Sequence, residues 1–158
     1  MTEPRQASCG CRAFSLGELI IVVAVTAILA MIAVPRFGSS IAIHRANAAA
    51  QRIAADLSYA RQRARMSSAA QRIVFDVASN TYEIIGAADM DRSGEPYVVS
   101  LSEPPYEAVI VSVDFGGDGE VVFDGYGSPD SGGQVVIRVG DFVRQIDLDA
   151  ATGKVVTQ

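Results

Sequence analysis

The most informative stretch of this sequence is Phe14-Ser15-Leu16-Gly17-Glu18, which is followed by sixteen uncharged residues, 19–34, and then by Pro35. The whole segment is apolar except for one carboxylate near its start. An acidic side chain at the edge of a membrane's hydrocarbon core is unfavourable unless it has a partner. Its presence in such a segment therefore indicates a functional role. Counted from Phe14, Glu18 is the fifth residue and Pro35 is the twenty-second.

This arrangement resembles the N-terminal signature of type IV pilins and of the pseudopilins of type II secretion. The resemblance implies that a prepilin peptidase cleaves between Ala13 and Phe14 and that the new N-terminal Phe14 is methylated. It also implies that Glu18 and Pro35 act in assembly. In that family the residue before the cut is normally glycine, so Ala13 is a departure, of a kind that the resemblance implies is tolerated.

Other kinds of apolar segment fit the sequence less well. A secretory signal peptide needs a small-x-small cleavage site after its core, whereas residues 33–36 are Ala-Val-Pro-Arg. A lipoprotein signal would place a cysteine just after the core, but Cys9 and Cys11 both precede it. A plain single-pass anchor usually has about twenty apolar residues. The sixteen found here are short for that alternative, which would make Glu18 incidental.

Charge divides the chain into a basic and an acidic part. Residues 36–72 contain seven arginines and one acid, Asp56, whereas residues 73–158 contain fifteen acidic and four basic side chains. We call the acidic C-terminal part the head. The asymmetry predicts electrostatic contact between the basic part of one copy, which is expected to be helical, and the acidic head of the next copy. The alternative is a solvated surface that only aids solubility. Both cysteines precede Phe14, so the processed chain can form no disulfide.

A long helix is predicted to continue past Pro35, with a bend where proline removes a backbone donor. Helical spacing then places a narrow, alanine-rich apolar stripe on one face, and we predict that this stripe packs against the head. The helical pattern ends near Ser67 and Ser68. The members of the stripe are Ile43, Ala46, Ala50, Ile53, Leu57, Ala60 and Ala64.

The rest of the chain predicts short strands at 73–77, 82–85, 97–99, 109–115, 121–123, 135–139 and 142–148. Residues 79–81 suit a hairpin turn, and residues 116–119 suit a turn between strands rather than a phosphate loop. Val109, Val111, Val113 and Phe115 alternate with Ser112 and Asp114, which predicts that the apolar four share a buried face. Strands at this spacing favour an antiparallel pair of sheets or a sandwich.

The head also resembles the GspH/FimT branch of minor pseudopilins and minor pilins. The resemblance rests on Leu57-x-x-Ala60-Arg61, on Phe123-x-x-x-Gly127, and on Ile146-x-Leu148 followed by Thr152-Gly153-Lys154-Val155. It implies an α+β fold in which a long N-terminal helix, transmembrane in its first half, packs on an antiparallel β-sandwich-like head. The expected organisation is a leader at 1–13, a transmembrane helix at 14–35, an amphipathic periplasmic helix at 36–68 and a β-rich head at 69–158.

No pattern in the sequence points to catalysis or to a cofactor. His44 is the only histidine, and no cysteine follows Phe14 to act as a nucleophile. Asp89, Asp91 and Ser93, with Gly94 after them, match the first half of a calcium loop, but Ser100 stands where the bidentate acid belongs. An acidic surface turn is the alternative to calcium.

Together these patterns predict a structural minor pseudopilin of a type II secretion system and not an enzyme. The implied partners are a prepilin peptidase, other minor and major pseudopilins, and the inner-membrane secretion platform. The implied location is the bacterial inner membrane, as a single-pass protein with its head in the periplasm. The alternative is a FimT-like minor type IV pilin for pilus assembly or DNA uptake. Nucleic acid is an unlikely partner because the head is acidic, and DNA binding needs a basic surface.

Overall fold

The computed structural model describes residues 15–89 and 94–158 and shows one long helix followed by eight strands. The helix ends at Ser67, where the sequence predicts its end, and each predicted strand is present. The elements are α1 (Leu16–Ser67), β1 (Gln71–Asp76), β2 (Thr81–Ala88), β3 (Pro96–Ser100), β4 (Val109–Phe115), β5 (Glu120–Phe123), β6 (Gly133–Val139), β7 (Phe142–Leu148) and β8 (Val155–Thr157).

The chain divides into two compact units, Met1–Gly38 and Ser39–Gln158. In the first unit, α1 exposes a continuous series of large apolar side chains from Leu16 to Met31. Within the described residues, no helix combines the length and apolar character of a membrane span. Pro35 lies within α1, and its side-chain surroundings fall outside what the structure describes. The bend predicted at Pro35 stays a prediction.

The second unit has its own hydrophobic core, to which one face of α1 contributes. Six of the seven residues in the predicted apolar stripe are buried, and the seventh, Ile43, is half-buried. Ala49 is buried beside them. Because four of the six are alanines, the helix backbone can lie close to the strands it covers. The predicted packing of this stripe on the head is confirmed. The buried six are Ala46, Ala50, Ile53, Leu57, Ala60 and Ala64.

The strands form two four-stranded antiparallel sheets. Sheet A has the order β3-β2-β1-β5, and sheet B has the order β4-β6-β7-β8. Both sheets contribute to the same buried cluster as α1, through residues such as Ile73 and Phe123 of sheet A and Val135 and Ile146 of sheet B. This confirms the α+β class with antiparallel sheets. Strand β8, which the sequence pattern did not predict, forms one edge of sheet B.

Strand β4 shows that one prediction was wrong. Val109 and Val111 were expected on the buried face, but they are 44% and 49% exposed, and Ile110 between them is buried. The register between β4 and β6 shifts between Ile110 and Ser112, which marks a β-bulge. Such an extra residue interrupts the alternation of side chains across the sheet. Ile110 and Phe115 therefore both face the core although an odd number of positions separates them.

Candidate functional site

The residues predicted to act in processing and assembly lie in the N-terminal unit. Ala13 and Phe14 fall outside the described residues. Glu18 occupies the first turn of α1, and Pro35 lies in the same helix. At 1.5 Å per residue these two positions are about 25 Å apart along the axis. They therefore do not form one compact site, and their role in assembly stays a prediction.

The start of α1 has a cap that was not predicted, and the amide of Glu18 takes part in it. Its amide donates a hydrogen bond to Ser15 Oγ at 3.2 Å, and the Leu19 amide bonds the Ser15 carbonyl at 3.2 Å. Ser15-x-x-Glu18 is the signature of a capping box, in which a serine satisfies an orphan amide at a helix start. A carboxylate in the first turn also interacts favourably with the positive end of the helix dipole. Glu18 thus helps α1 to begin at Leu16.

The calcium hypothesis is only partly accessible to the structure. Asp91 and Ser93 lie outside the described residues, and the amide of Asp89 donates to the Glu95 carbonyl at 3.0 Å. Among the residues that the structure describes, no group of three His, Cys, Asp or Glu side chains is placed to hold a metal ion. Calcium binding at this loop stays a prediction.

The head contains a buried polar cluster between α1 and sheet A. Asp56 is 6% exposed. Its Oδ2 accepts hydrogen bonds from Arg52 Nε at 2.9 Å and from Tyr82 Oη at 2.5 Å, while its Oδ1 accepts one from Tyr97 Oη at 2.8 Å. Arg52 Nη2 also donates to Tyr97 Oη at 2.6 Å. A buried carboxylate is tolerated only when it is paired and hydrogen-bonded, and this one is both.

This environment changes how the cluster titrates. Burial raises the pKa of the Tyr97 hydroxyl to about 12, and the hydrogen bond to Asp56 adds to the increase. The pKa of Tyr82 is raised further, first by burial and then by the negative charge of Asp56. Burial acts to lower the pKa of Arg52, but the hydrogen bond and charge of Asp56 outweigh it and raise the value. Arg52 therefore stays protonated and both tyrosines stay neutral across the neutral range.

Arg61 makes a second connection between α1 and the head. Its hydrogen bonds bring together Arg61, Gly127 and Gly153, one residue from each of the three motifs on which the family resemblance rests. Its Nε donates to the Gly127 carbonyl at 3.0 Å and its Nη1 to the Gly153 carbonyl at 3.2 Å. Both glycines have positive φ, and a Cβ on Gly127 would lie 2.6 Å from Arg65 Cδ. A side chain at either glycine would therefore be strained or would displace an arginine. Arg61 joins the end of α1 to the β5–β6 and β7–β8 connections.

Two more arginines of α1, Arg45 and Arg63, also contact the head of their own chain. Arg45 pairs with Glu107, and Arg63 donates to the Gly86 carbonyl. Asn47 accepts a hydrogen bond from Arg144 Nε at 2.7 Å. One ion pair between the basic helix and the acidic head, Arg45 with Glu107, thus forms within one chain. Contacts of the same kind between copies stay a prediction.

The sequence offered only a weak signal for these clusters. Arg52 and Asp56 stand four positions apart, which is the spacing of an ion pair on a helix. Asp56 also lies directly before Leu57, a member of the apolar stripe. Their tyrosine partners come from strands at least twenty-six positions away along the chain. Such a partner depends on strand register, which residue type alone does not give.

Comparison with known proteins agrees with this architecture. Residues 49–152 match the family described as "Type II transport protein GspH". The fold is similar to that of the type IV minor pilin FimU of Pseudomonas aeruginosa, with a TM-score of 0.52 and 19% identity over 73% of this chain and 89% of that chain. A second crystal form of FimU gives a TM-score of 0.50 and 18% identity, over 71% of this chain and 91% of that one. No curated protein matches this chain.

The matched region begins within the buried stripe of α1 and ends in the β7–β8 connection. It includes Arg61, Gly127 and all the strands from β1 to β7. The shared region is therefore the head together with the helix that covers it. The match spans well over half of the sequence, and this chain belongs to the GspH family of pilin-like proteins.

Proposed function

We propose that this chain is a structural minor pseudopilin of a type II secretion system, assembled into the periplasmic pseudopilus or its tip to support protein export. The observation that carries this proposal is the GspH match over residues 49–152. The matched region includes both the end of α1 and most of the acidic head. The N-terminal register of Phe14, Glu18 and Pro35 supports it independently. The role needs no chemistry from the head, whose polar clusters are occupied by structural contacts.

The proposed pathway begins with processing at the membrane. A prepilin peptidase would cleave between Ala13 and Phe14 and methylate the new amino terminus. Residues 14–35 would hold the chain in the inner membrane as a single pass, and residues 36–68 would carry the head in the periplasm. The apolar side chains exposed on α1 between Leu16 and Met31 support this proposal, because such a surface needs lipid or other helices to cover it.

Glu18 would give the assembled helices their register. Cleavage creates an amine at Phe14, and the carboxylate of one copy would face the amine of its neighbour. In a medium of low dielectric such a pair is strongly favoured, whereas an unpaired carboxylate is strongly disfavoured. A subunit out of step would therefore be rejected. The competing explanation is that the Glu18 carboxylate only stabilises the start of α1 through the helix dipole, beside the cap that Ser15 makes.

The test compares three full-length variants in the source organism: Glu18→Ala, Glu18→Gln and Ser15→Ala. If the charge matters, both Glu18 variants reduce co-purification with other pseudopilins and reduce export at least about tenfold, the scale of losing one ion pair in low dielectric. Ser15→Ala, which removes only the cap, stays near wild type. Intact mass of the purified chain reports cleavage at Phe14 in all three.

Two outcomes would contradict the proposal. Equal assembly and export by the Glu18 variants and the wild type would leave the Glu18 carboxylate with no role in register. A mature chain that begins after Val34 would show that processing follows another route.

A second candidate is a minor type IV pilin that acts in pilus assembly or DNA uptake. The similarity in fold to FimU supports this candidate, since that protein is a minor pilin. Deleting the gene separates the two roles. Loss of exported enzymes with normal surface pili supports the secretion role, and loss of pili or of transformation with normal export supports the pilus role.

A further inference from the structure

We draw no further inference here: the strongest candidate, the groove between the end of α1 and the last residues of β2 that Tyr59, Met66 and Ile85 line, is an exposed surface, and nothing in the described part of the chain shows what covers it.

Discussion

Asp56 is the only acidic residue between Arg36 and Arg72, and the structure buries its side chain between α1 and sheet A. Two tyrosine hydroxyls from sheet A and one guanidinium from α1 satisfy it. Each partner comes from a different element, so the cluster fixes the position of the helix over the strands. The carboxylate stabilises the fold only as a member of this set, because a buried charge without partners is unfavourable.

Removing the carboxylate tests this dependence. Asp56→Ala leaves Arg52 and two buried hydroxyls without their acceptor, and we expect the free energy of unfolding to fall by about 3–5 kcal/mol. Urea denaturation monitored by circular dichroism measures this change. Asp141→Ala, in the exposed β6–β7 turn, should stay within about 0.5 kcal/mol of wild type. A loss under about 1 kcal/mol for Asp56→Ala would show that the cluster is not a stabilising unit.

The same cluster predicts sensitivity to alkali. Burial raises the pKa of Tyr82 and raises that of Tyr97 to about 12, whereas a tyrosine in an unfolded chain titrates near 10. Above about pH 10 the unfolded chain releases protons that the folded chain keeps, so the free energy of unfolding decreases as pH rises. The stabilisation linked to these two tyrosines is fully present below about pH 10, and it is lost as pH rises through their pKa values in the folded chain.

The measurement is thermal melting across that alkaline range, with tyrosinate absorbance followed in parallel. The double variant Tyr82→Phe, Tyr97→Phe should melt lower at neutral pH but should lose less stability as pH rises. Equal losses in the variant and the wild type would contradict the assignment.

At the scale of elements, the predictions succeeded where a single periodicity decides the outcome. The apolar stripe of α1 repeats at helical spacing, and six of its seven residues are buried. The strands were located because β-branched residues and turn residues alternate along the head. The buried face of β4 was predicted wrongly because the bulge at Ile110 depends on pairing with β6, which lies more than twenty residues away. Periodicity along one strand carries no information about such a shift.

Leu57 tests the packing of α1 as an element. It is 1% exposed in the core shared by the helix and the sheets. Leu57→Asp places a carboxylate there without partners, and we expect a loss of about 3–5 kcal/mol in the free energy of unfolding. Ser58→Asp introduces the same side chain one position later, on the exposed face, and should change stability little. Similar melting of both variants would show that this face of the helix is not held against the head.

At the scale of the whole molecule, charge composition predicted contact between the helix of one copy and the head of the next, whereas the structure shows contacts between helix and head within one chain. Arg61 contacts two backbone carbonyls rather than acids, and Arg45 pairs with Glu107 of its own chain. The sequence gives the number of charges on each part, whereas the partner of each charge depends on the folded geometry. Most arginines of the helix therefore serve the fold and are not free to bind an external anion.

The last prediction concerns nucleic acid and uses residues 39–158, the compact second unit. This segment has ten basic and sixteen acidic side chains, and Arg45, Arg52, Arg61 and Arg63 are engaged by partners in the head. Affinity for DNA comes mainly from basic groups that displace counterions from phosphates. We expect this segment to fold alone. We also expect it to show no saturable binding to duplex DNA at about 150 mM salt, where only binders with several phosphate contacts persist.

A gel-shift titration measures binding. Arg65→Glu, at an exposed position of α1, is the control and should change nothing. Micromolar binding that weakens steeply with salt and is lost in Arg65→Glu would contradict this prediction and would favour a DNA-uptake pilin over a secretion subunit.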